Sequence, residues 1–451
     1  MKIIVVGCGK VGASITAQLA GHGHDIAVID HNSSVIEEIT NSYDVMGLVG
    51  NGASYSMQKE AGVEEADLLI AVTNSDEQNM LCCLVARKAG GCSTIARVRN
   101  PVYSSEIGFL KEELGLSLVV NPEEAGAREA ARLIRMPSAI QVEKFAKGHV
   151  HLIKALIPSG SPISGMALSD ISRKLQADVL ICTVERGRDI EIPNGQYVLQ
   201  EGDMISIVAS PENVRKFLVR IGLDYKPVKD TMIIGGGRIS YYLAKRLLQD
   251  GTRVKIIEKD LQRCEELSEL LPTATIIHAD ASSEDVLIEE GIETCGSFVT
   301  LTGMDEENIF LSLFAQSCSK AKVITKVDKI AFDEVIRHFK LGSILHPKKI
   351  IADTITRYVR AMQNSIGSNV ESLYHIMEDR VEALEFSIHE DAPVVGIPLA
   401  DLKLKKNVLV ACIYRSGSII IPNGQSVIEV GDSVIVVTKE QGFEDIRDIL
   451  L

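Results

Sequence analysis

The chain repeats itself, and that constrains its fold more than any other feature. MKIIVVGCGKVG at the start returns as DTMIIGGGRIS from Asp230, so Gly7 and Gly9 align with Gly235 and Gly237 at an offset of 228 residues. Asp30 then falls opposite Glu258. KEAGVEEADLLIAVTNSDEQNM falls opposite IEEGIETCGSFVTLTGMDEENIF, which pairs Thr73, Asp76 and Asn79 with Thr302, Asp305 and Asn308. IEIPNGQYVLQEGD at Ile190 reappears as IIIPNGQSVIEVGD at Ile419. Two copies of one plan must therefore bury their apolar faces in the same way.

Each copy has two parts. In the first copy IIVV, IAVID, DVMGLV, LLIAVT, TIARV and LSLVV are short β-rich runs, and the segments between them have helical periodicity. That series predicts a parallel sheet with helices on both faces, the doubly wound α/β class. After about Met136 the pattern thins to VHLIKALI, VLICTVE and MISIVAS among Gly, Pro and Asp, which predicts a small α+β module. The PNG of Pro193–Gly195 is expected to be a β-turn in which Asn and Gly supply positive φ, and Gly202-Asp203 and Gly431-Asp432 are read as turns too. The expected divisions are 1–135 and 226–365 for the parallel-sheet domains, and 136–225 and 366–451 for the small modules, with Gly222–Asp230 as the joint between halves.

Gly7-Cys8-Gly9-Lys10-Val11-Gly12 follows a strand and opens a helix, the context that gives GxGxxG its meaning. Gly7 allows the tight turn, Gly9 lets backbone N–H groups approach a pyrophosphate, and Gly12 lets helix and strand pack closely. Asp30, at the end of the second strand, is placed to accept from a ribose diol and to repel a 2′-phosphate, which favours NAD(H) or an adenine nucleotide over NADP(H). The second copy reads Gly235-Gly236-Gly237-Arg238-Ile239-Ser240, with Ser240 in place of the third glycine and Glu258 as the acid, and is expected to bind more weakly. Lys10 and Arg238 share one loop position, from which either can reach a phosphate or remain a solvated surface cation.

Composition narrows the function. A net charge of -14 with no basic stripe argues against a nucleic-acid ligand or direct contact with anionic lipid. No apolar run reaches the roughly 18 residues of a spanning helix and no signal-peptide pattern opens the chain, so a cytoplasmic protein that meets a membrane only through a partner is expected. Nine cysteines without CxxC spacing fit reduced thiols, and adjacent Cys82 and Cys83 are read as core filler. The HxH pairs His22/His24 and His149/His151 have no third ligand and are expected at the surface. No P-loop is present, and the small modules share no His, Lys or carboxylate constellation, so no catalytic residue is assigned.

Taken together, GCGKVG, Asp30, AVTNSDEQN from Ala71, IARVRNP from Ile95 and both IPNG segments resemble the TrkA family, the peripheral subunits of Trk potassium-uptake systems built from two regulator-of-potassium-conductance (RCK) units. The resemblance covers the whole chain. It implies RCK-N domains at 1–135 and 226–365 that bind NAD(H) or ATP and ADP, RCK-C domains after each, and no enzymatic role. It also implies a homo-oligomeric ring of domains, a tetramer of this chain, docked on the cytoplasmic face of a TrkH-like potassium-translocating membrane subunit. Carried over by position, it adds Asn51, Thr73, Asn74 and Arg97 to the first pocket, and Asp280, Thr302 and Lys326 beside Glu258 to the second. It places Glu123 where relatives have an acidic residue near a divalent cation, whereas the second copy has Lys348 there. A regulator of another membrane transporter and an NAD-dependent oxidoreductase are the competing readings.

Overall fold

The fold is seen in a computed structural model, which describes all residues except 22, 176–177, 188, 224–226, 329–340, 365–369, 377–379, 390–391 and 444. The first part of each half is a six-stranded parallel sheet. Strands β1 (Lys2–Val6), β2 (Asp25–Asp30), β3 (Met46–Val49), β4 (Leu68–Ala71), β5 (Ser93–Arg97) and β6 (Leu118–Val120) lie in the order β3-β2-β1-β4-β5-β6. The central strands are buried on both faces, which is why IIVV and LLIA are unbroken apolar runs rather than alternating ones. Strand order reverses between β1 and β4, so the loops after these two strands open a crevice at the carboxyl edge of the sheet.

The small module is an antiparallel sheet of β7 (Gln141–Phe145), β8 (Val150–Leu156), β9 (Leu180–Arg186), β10 (Asp189–Glu191) and β11 (Met204–Ala209), in the order β10-β9-β11-β8-β7. The second half repeats both sheets. Strands β12 (Asp230–Ile234), β13 (Arg253–Glu258), β14 (Thr275–His278), β15 (Ser297–Thr300), β16 (Lys322–Lys326) and β17 (Ser343–Leu345) form the parallel sheet, in the order β14-β13-β12-β15-β16-β17. Strands β18 (Val370–Ile376), β19 (Val381–Ser387), β20 (Val408–Arg415), β21 (Ser418–Ile420) and β22 (Ser433–Thr438) form the antiparallel one. Strands β7 and β10 carry no strong apolar signal, because QVEKF and DIE place charged residues on strands at the edge of the sheet.

Sequence order does not show how the halves interlock. The Pro122–Arg135 helix leaves the first sheet and packs on the Arg238–Gln249 helix of the second, adding Ala127, Ala130, Ala131, Leu133 and Ile134 to that core. In return the Pro347–Asn364 helix packs on Lys10–Ala20, adding Ile351, Ala352, Ile355 and Val359 to the first core. Small residues permit the close approach: a Cβ on Gly126 would sit 3.4 Å from Pro347 and 3.8 Å from Ile239. Gln18 is held on both sides, by Asp353 at 3.0 Å and Thr356 at 2.9 Å. The antiparallel sheets also meet, sharing a core that contains Phe145, Leu152, Val208, Ile376, Ala383 and Val437. There the rings of Phe145 and Tyr374 lie edge to face at 4.8 Å.

Several local expectations change. The PNG turn forms, with Tyr197 N–H on the Asn194 carbonyl at 3.1 Å, but neither Asn194 nor Gly195 has positive φ. Asn194 acts through its side chain instead, accepting from Gln196 N–H at 2.9 Å. The Gly-Asp pairs do more than turn. Gly202 and Gly431 have φ near +82° and +87°, while Asp203 and Asp432, both buried, take bidentate ion pairs from Arg186 and Arg415 and close the turn that leads into them, by accepting from Gln200 and Glu429 N–H at 2.8 Å. Among the histidines, His24 and His151 are buried rather than surface residues, and burial pushes His151 down to about 4. His149 stacks on Tyr414 at 5.2 Å. His22, residues 224–226 of the expected joint, and the expected boundary near 365 lie outside the described residues. Cys82 and Cys83 are fully buried, and burial raises both thiols, the first to about 12.

Candidate nucleotide pockets at the glycine loops

Both glycine loops sit at the switch point of their sheets and open a helix. Gly7 has φ +90°, and a Cβ there would lie 2.7 Å from Thr73 N, so only glycine fits the turn. A Cβ on Gly12 would lie 1.9 Å from the Gly7 carbonyl oxygen. Gly9 has open space where its Cβ would point, leaving the helix N-terminus at Lys10 clear on that side. Cys8 is buried, and burial lifts its thiol to about 12, so it contributes its backbone rather than its sulfur. Val11 is core beneath the helix.

The acid is already fixed by backbone donors. Asp30 accepts from Cys8 N–H at 2.7 Å and from Asn32 N–H at 2.9 Å, one on each oxygen. Glu258 does the same with Gly236 N–H at 2.5 Å and Asp260 N–H at 2.8 Å. Asp30 Oδ1 also lies 3.1 Å from His31 Nδ1, while Asp30 Oδ2 and both Glu258 oxygens keep a lone pair for a further donor such as a ribose hydroxyl. In the second copy Ser240 is fully buried and donates to the Gly235 carbonyl at 2.5 Å, so the hydroxyl is bonded where the first half packs bare backbone. Gly235 and Gly237 repeat the first loop otherwise, with φ +90° at Gly235 and open space at Gly237.

The loop after the fourth strand is held by one buried amide. Asn79 accepts from Thr73 N–H and hydroxyl, both at 2.7 Å, and donates to the Thr73 and Arg97 carbonyls at 3.2 and 2.9 Å. Asn308 repeats the three backbone bonds with Thr302 and Lys326, while the Thr302 hydroxyl donates to the Met304 carbonyl at 3.2 Å. The internal alignment pairs these asparagines, but their role as braces emerges only from the bonds. Asn51 and Asp280, at equivalent positions, each close their own turn by accepting from a backbone N–H two residues on, Ala53 at 3.0 Å and Ser282 at 2.9 Å. That bond holds the Asp280 carboxyl below its ordinary value.

Charge gathers next to these loops, in opposite arrangements. In the first half Arg97 is buried, donates to Thr73 O and to Asn74 Oδ1 at 3.3 Å, and leaves its Nε without a partner. Burial, then Arg99, lowers it to about 10. Arg99 stands 3.7 Å from Asp76 and 3.9 Å from Glu123. Burial raises Glu123, although Arg99, Arg97 and Arg238 pull the other way. In the second half Lys326, Asp328 and Lys348 occupy the places of Arg97, Arg99 and Glu123, and Asp328 bridges the lysines at 3.0 and 3.3 Å. Burial works to raise Asp328, but the two ammoniums hold it below its ordinary value.

The loop cations act across the halves. Arg238 adds positive potential at Arg97 and Glu123 of the first pocket, and Lys10 does so at Lys348 of the second. Tyr242, one turn beyond Arg238, donates to the Arg99 carbonyl at 3.2 Å and lies 3.3 Å from Asn121. The cation expectation for Glu123 meets guanidiniums at that position, and no cluster of three or more His, Cys, Asp or Glu that could hold a metal occurs among the described residues.

Comparison with known proteins fits this doubled plan. The TrkA-N domain family matches residues 3–122 and 231–347, and the TrkA-C domain family matches 152–222 and 383–451. The chain belongs to the TrkA family. A relative named Trk system potassium uptake protein TrkA homolog, from Archaeoglobus fulgidus, is 33% identical with the whole of both chains covered. A Trk system potassium uptake protein TrkA from Halomonas elongata is 31% identical over 100% of this chain and 98% of its own. Among solved structures the GsuK channel matches with TM-score 0.65 at 16% identity, covering 97% of this chain and 76% of that one, so it shares the fold. The GsuK channel bound to NAD matches with TM-score 0.62 at 16% identity, over 97% of this chain and 76% of that one. No helix among the described residues is long and apolar enough to cross a membrane.

Proposed function

We propose that the chain is the nucleotide-sensing regulatory subunit of a Trk-type potassium-uptake system and gates a TrkH-like membrane subunit. It works as a ring of its own copies, a tetramer, on the cytoplasmic side of the membrane and does no catalysis. The RCK-N domains are 1–135 and 226–365, and the RCK-C domains 136–225 and 366–451. The family membership and the names of full-length relatives support the transport role. NAD(H), ATP and ADP are the ligands, in a first pocket of Gly7, Cys8, Gly9, Lys10, Val11, Gly12, Asp30, Asn51, Thr73, Asn74 and Arg97. The second pocket consists of Gly235, Gly237, Arg238, Glu258, Asp280 and Thr302.

One observation carries this reading: Tyr242, on the helix that the second glycine loop opens, donates to the Arg99 carbonyl at 3.2 Å, so that helix abuts the charge cluster of the first half. A phosphate bound at one loop is then attracted by groups from both halves. A ligand shifts a conformational equilibrium only through unequal affinity for its two states, and contacts spanning two packed bodies supply that inequality. Calorimetric titration with NADH, NAD, ATP, ADP and NADPH, repeated on Asp30→Ala, tests the reading. Binding of at least one of these, weaker binding of NADPH and loss of the first-pocket component in the variant are expected. If none of the five binds, the loops are scaffold and the reading fails.

A further inference from the structure

The second pocket contains a side chain with no counterpart in the first. A cavity of about 390 Å³ opens beside the second glycine loop, lined by Gly236, Gly237, Glu258, Asp260, Arg263 and Glu266 among others. Arg263 lies five residues past the ribose acid. Its Nε donates to the Gly236 carbonyl at 2.7 Å and its Nη1 to Glu266 at 2.7 Å, so the guanidinium plane is fixed against the loop on one side and neutralised on the other. The equivalent residue of the first half is Val35, partly buried against the core.

A guanidinium pinned beside a ribose-binding acid presents a flat cationic face, the surface on which a purine stacks. It is poorly suited to a 2′-phosphate, because Glu258, Asp260 and Glu266 share the cavity wall. At the phosphate end the balance reverses. Asp328 holds Lys326 at 3.0 Å and Lys348 at 3.3 Å, so two of the ammoniums that would meet a terminal phosphate already have a carboxylate. In the first pocket the corresponding carboxylate pairs are long, at 3.7 and 3.9 Å, and the buried Arg97 Nε has no partner. Arginine forks there keep donors for an additional phosphate oxygen.

We propose that the two pockets divide the work: the second anchors the adenosine on Arg263 and does not distinguish ATP from ADP, while the first distinguishes them through Arg97 and Arg99. This rests on the nucleotide-sensing reading above. Where Arg263 holds the purine, affinity depends on a part of the ligand that ATP and ADP share. Where unsatisfied guanidiniums hold the last phosphate, it depends on the part in which they differ.

The test uses the full chain with one pocket disabled at a time. ATP and ADP are titrated calorimetrically into Asp30→Ala, which leaves the second pocket, and into Glu258→Ala, which leaves the first. The expected ATP-to-ADP affinity ratio is within about twofold in the second pocket and about tenfold or more in the first. Adding Arg263→Gln to Asp30→Ala weakens both nucleotides alike, by about tenfold. Adding Asp328→Asn, which frees two lysines with little change in shape, raises the ratio severalfold. Equal ratios in both backgrounds, a second pocket that binds neither nucleotide, or an Arg263→Gln effect confined to one of them would overturn the proposal. If neither background nor the unaltered chain binds nucleotide, the broader reading falls with it.

Discussion

The two glycine loops share their backbone bonds and differ in their charges. Cys8 N–H on Asp30 and Gly236 N–H on Glu258 are the same bond, and Asn79 and Asn308 brace the same turn. Around the phosphate end Arg97, Arg99 and Glu123 face Lys326, Asp328 and Lys348, with the carboxylate moved from one element to another. Bonds that set the path of the backbone have few geometric solutions, so both copies keep them. Charge can be redistributed among neighbouring side chains at little cost in fold, and there the copies diverge.

The sharpest test of that contrast is the third loop position. Gly12→Ala puts a methyl 1.9 Å from a carbonyl oxygen and is expected to destabilise the first half by about 3 kcal/mol. Ser240→Gly removes one buried hydrogen bond and should cost about 1 kcal/mol in the second. Chemical denaturation followed by hydrogen exchange in each half would read both. Equal losses would mean that the helices sit at the same distance from their loops, contrary to the different contacts seen here.

A smaller effect is expected where the halves meet. Glu143 on β7 and Tyr374 on β18 occupy equivalent places in the two antiparallel sheets, beside Arg132 and Arg357 of the exchanged helices. Burial first, then the neighbouring Glu129, pushes Glu143 up to about 7. The folded chain therefore holds this proton between about pH 4.5 and 7 while the unfolded chain has lost it, so stability falls as pH rises through that window. Glu143→Gln should flatten that fall and leave the protein about 1–2 kcal/mol more stable at pH 8. Urea midpoints at pH 5 and pH 8 for both proteins check it, and an unchanged slope would remove Glu143 as the cause.

The smallest effect belongs to Asn51. It closes its turn as Asp280 does, by accepting a backbone N–H, so Asn51→Asp should change stability by no more than about 0.5 kcal/mol. A thermal midpoint shift of many degrees would show that the amide group, which also accepts from Gln78 at 3.2 Å, does more than close the turn.

Much of the site was legible in the chain. The spacing of Gly7, Gly9, Gly12 and Asp30 fixed a strand-loop-helix with an acid at the next strand end, because those residues answer local steric demands. The repeat found the second copy, and apolar runs located every strand of the first parallel sheet. Arg99, Asp328 and Arg263 escaped notice because a charged residue on a loop or helix reads as solvated until its partners are known. Strand β7 escaped because its apolar residues are outnumbered by charged and polar ones, as on many edge strands.

What the sequence determined by itself, then, is what lies within one strand and its following loop: the turn, the acid, the doubled architecture. Only the tertiary structure decided that the Pro122–Arg135 and Pro347–Asn364 helices would each complete the opposite core, and that Arg238 and Lys10 would act on the opposite pocket. An amphipathic helix records in its pattern that one face must be buried, but not against which body. Here the apolar faces of the two halves fit each other, and that choice set the helix of each loop against a helix from the other half.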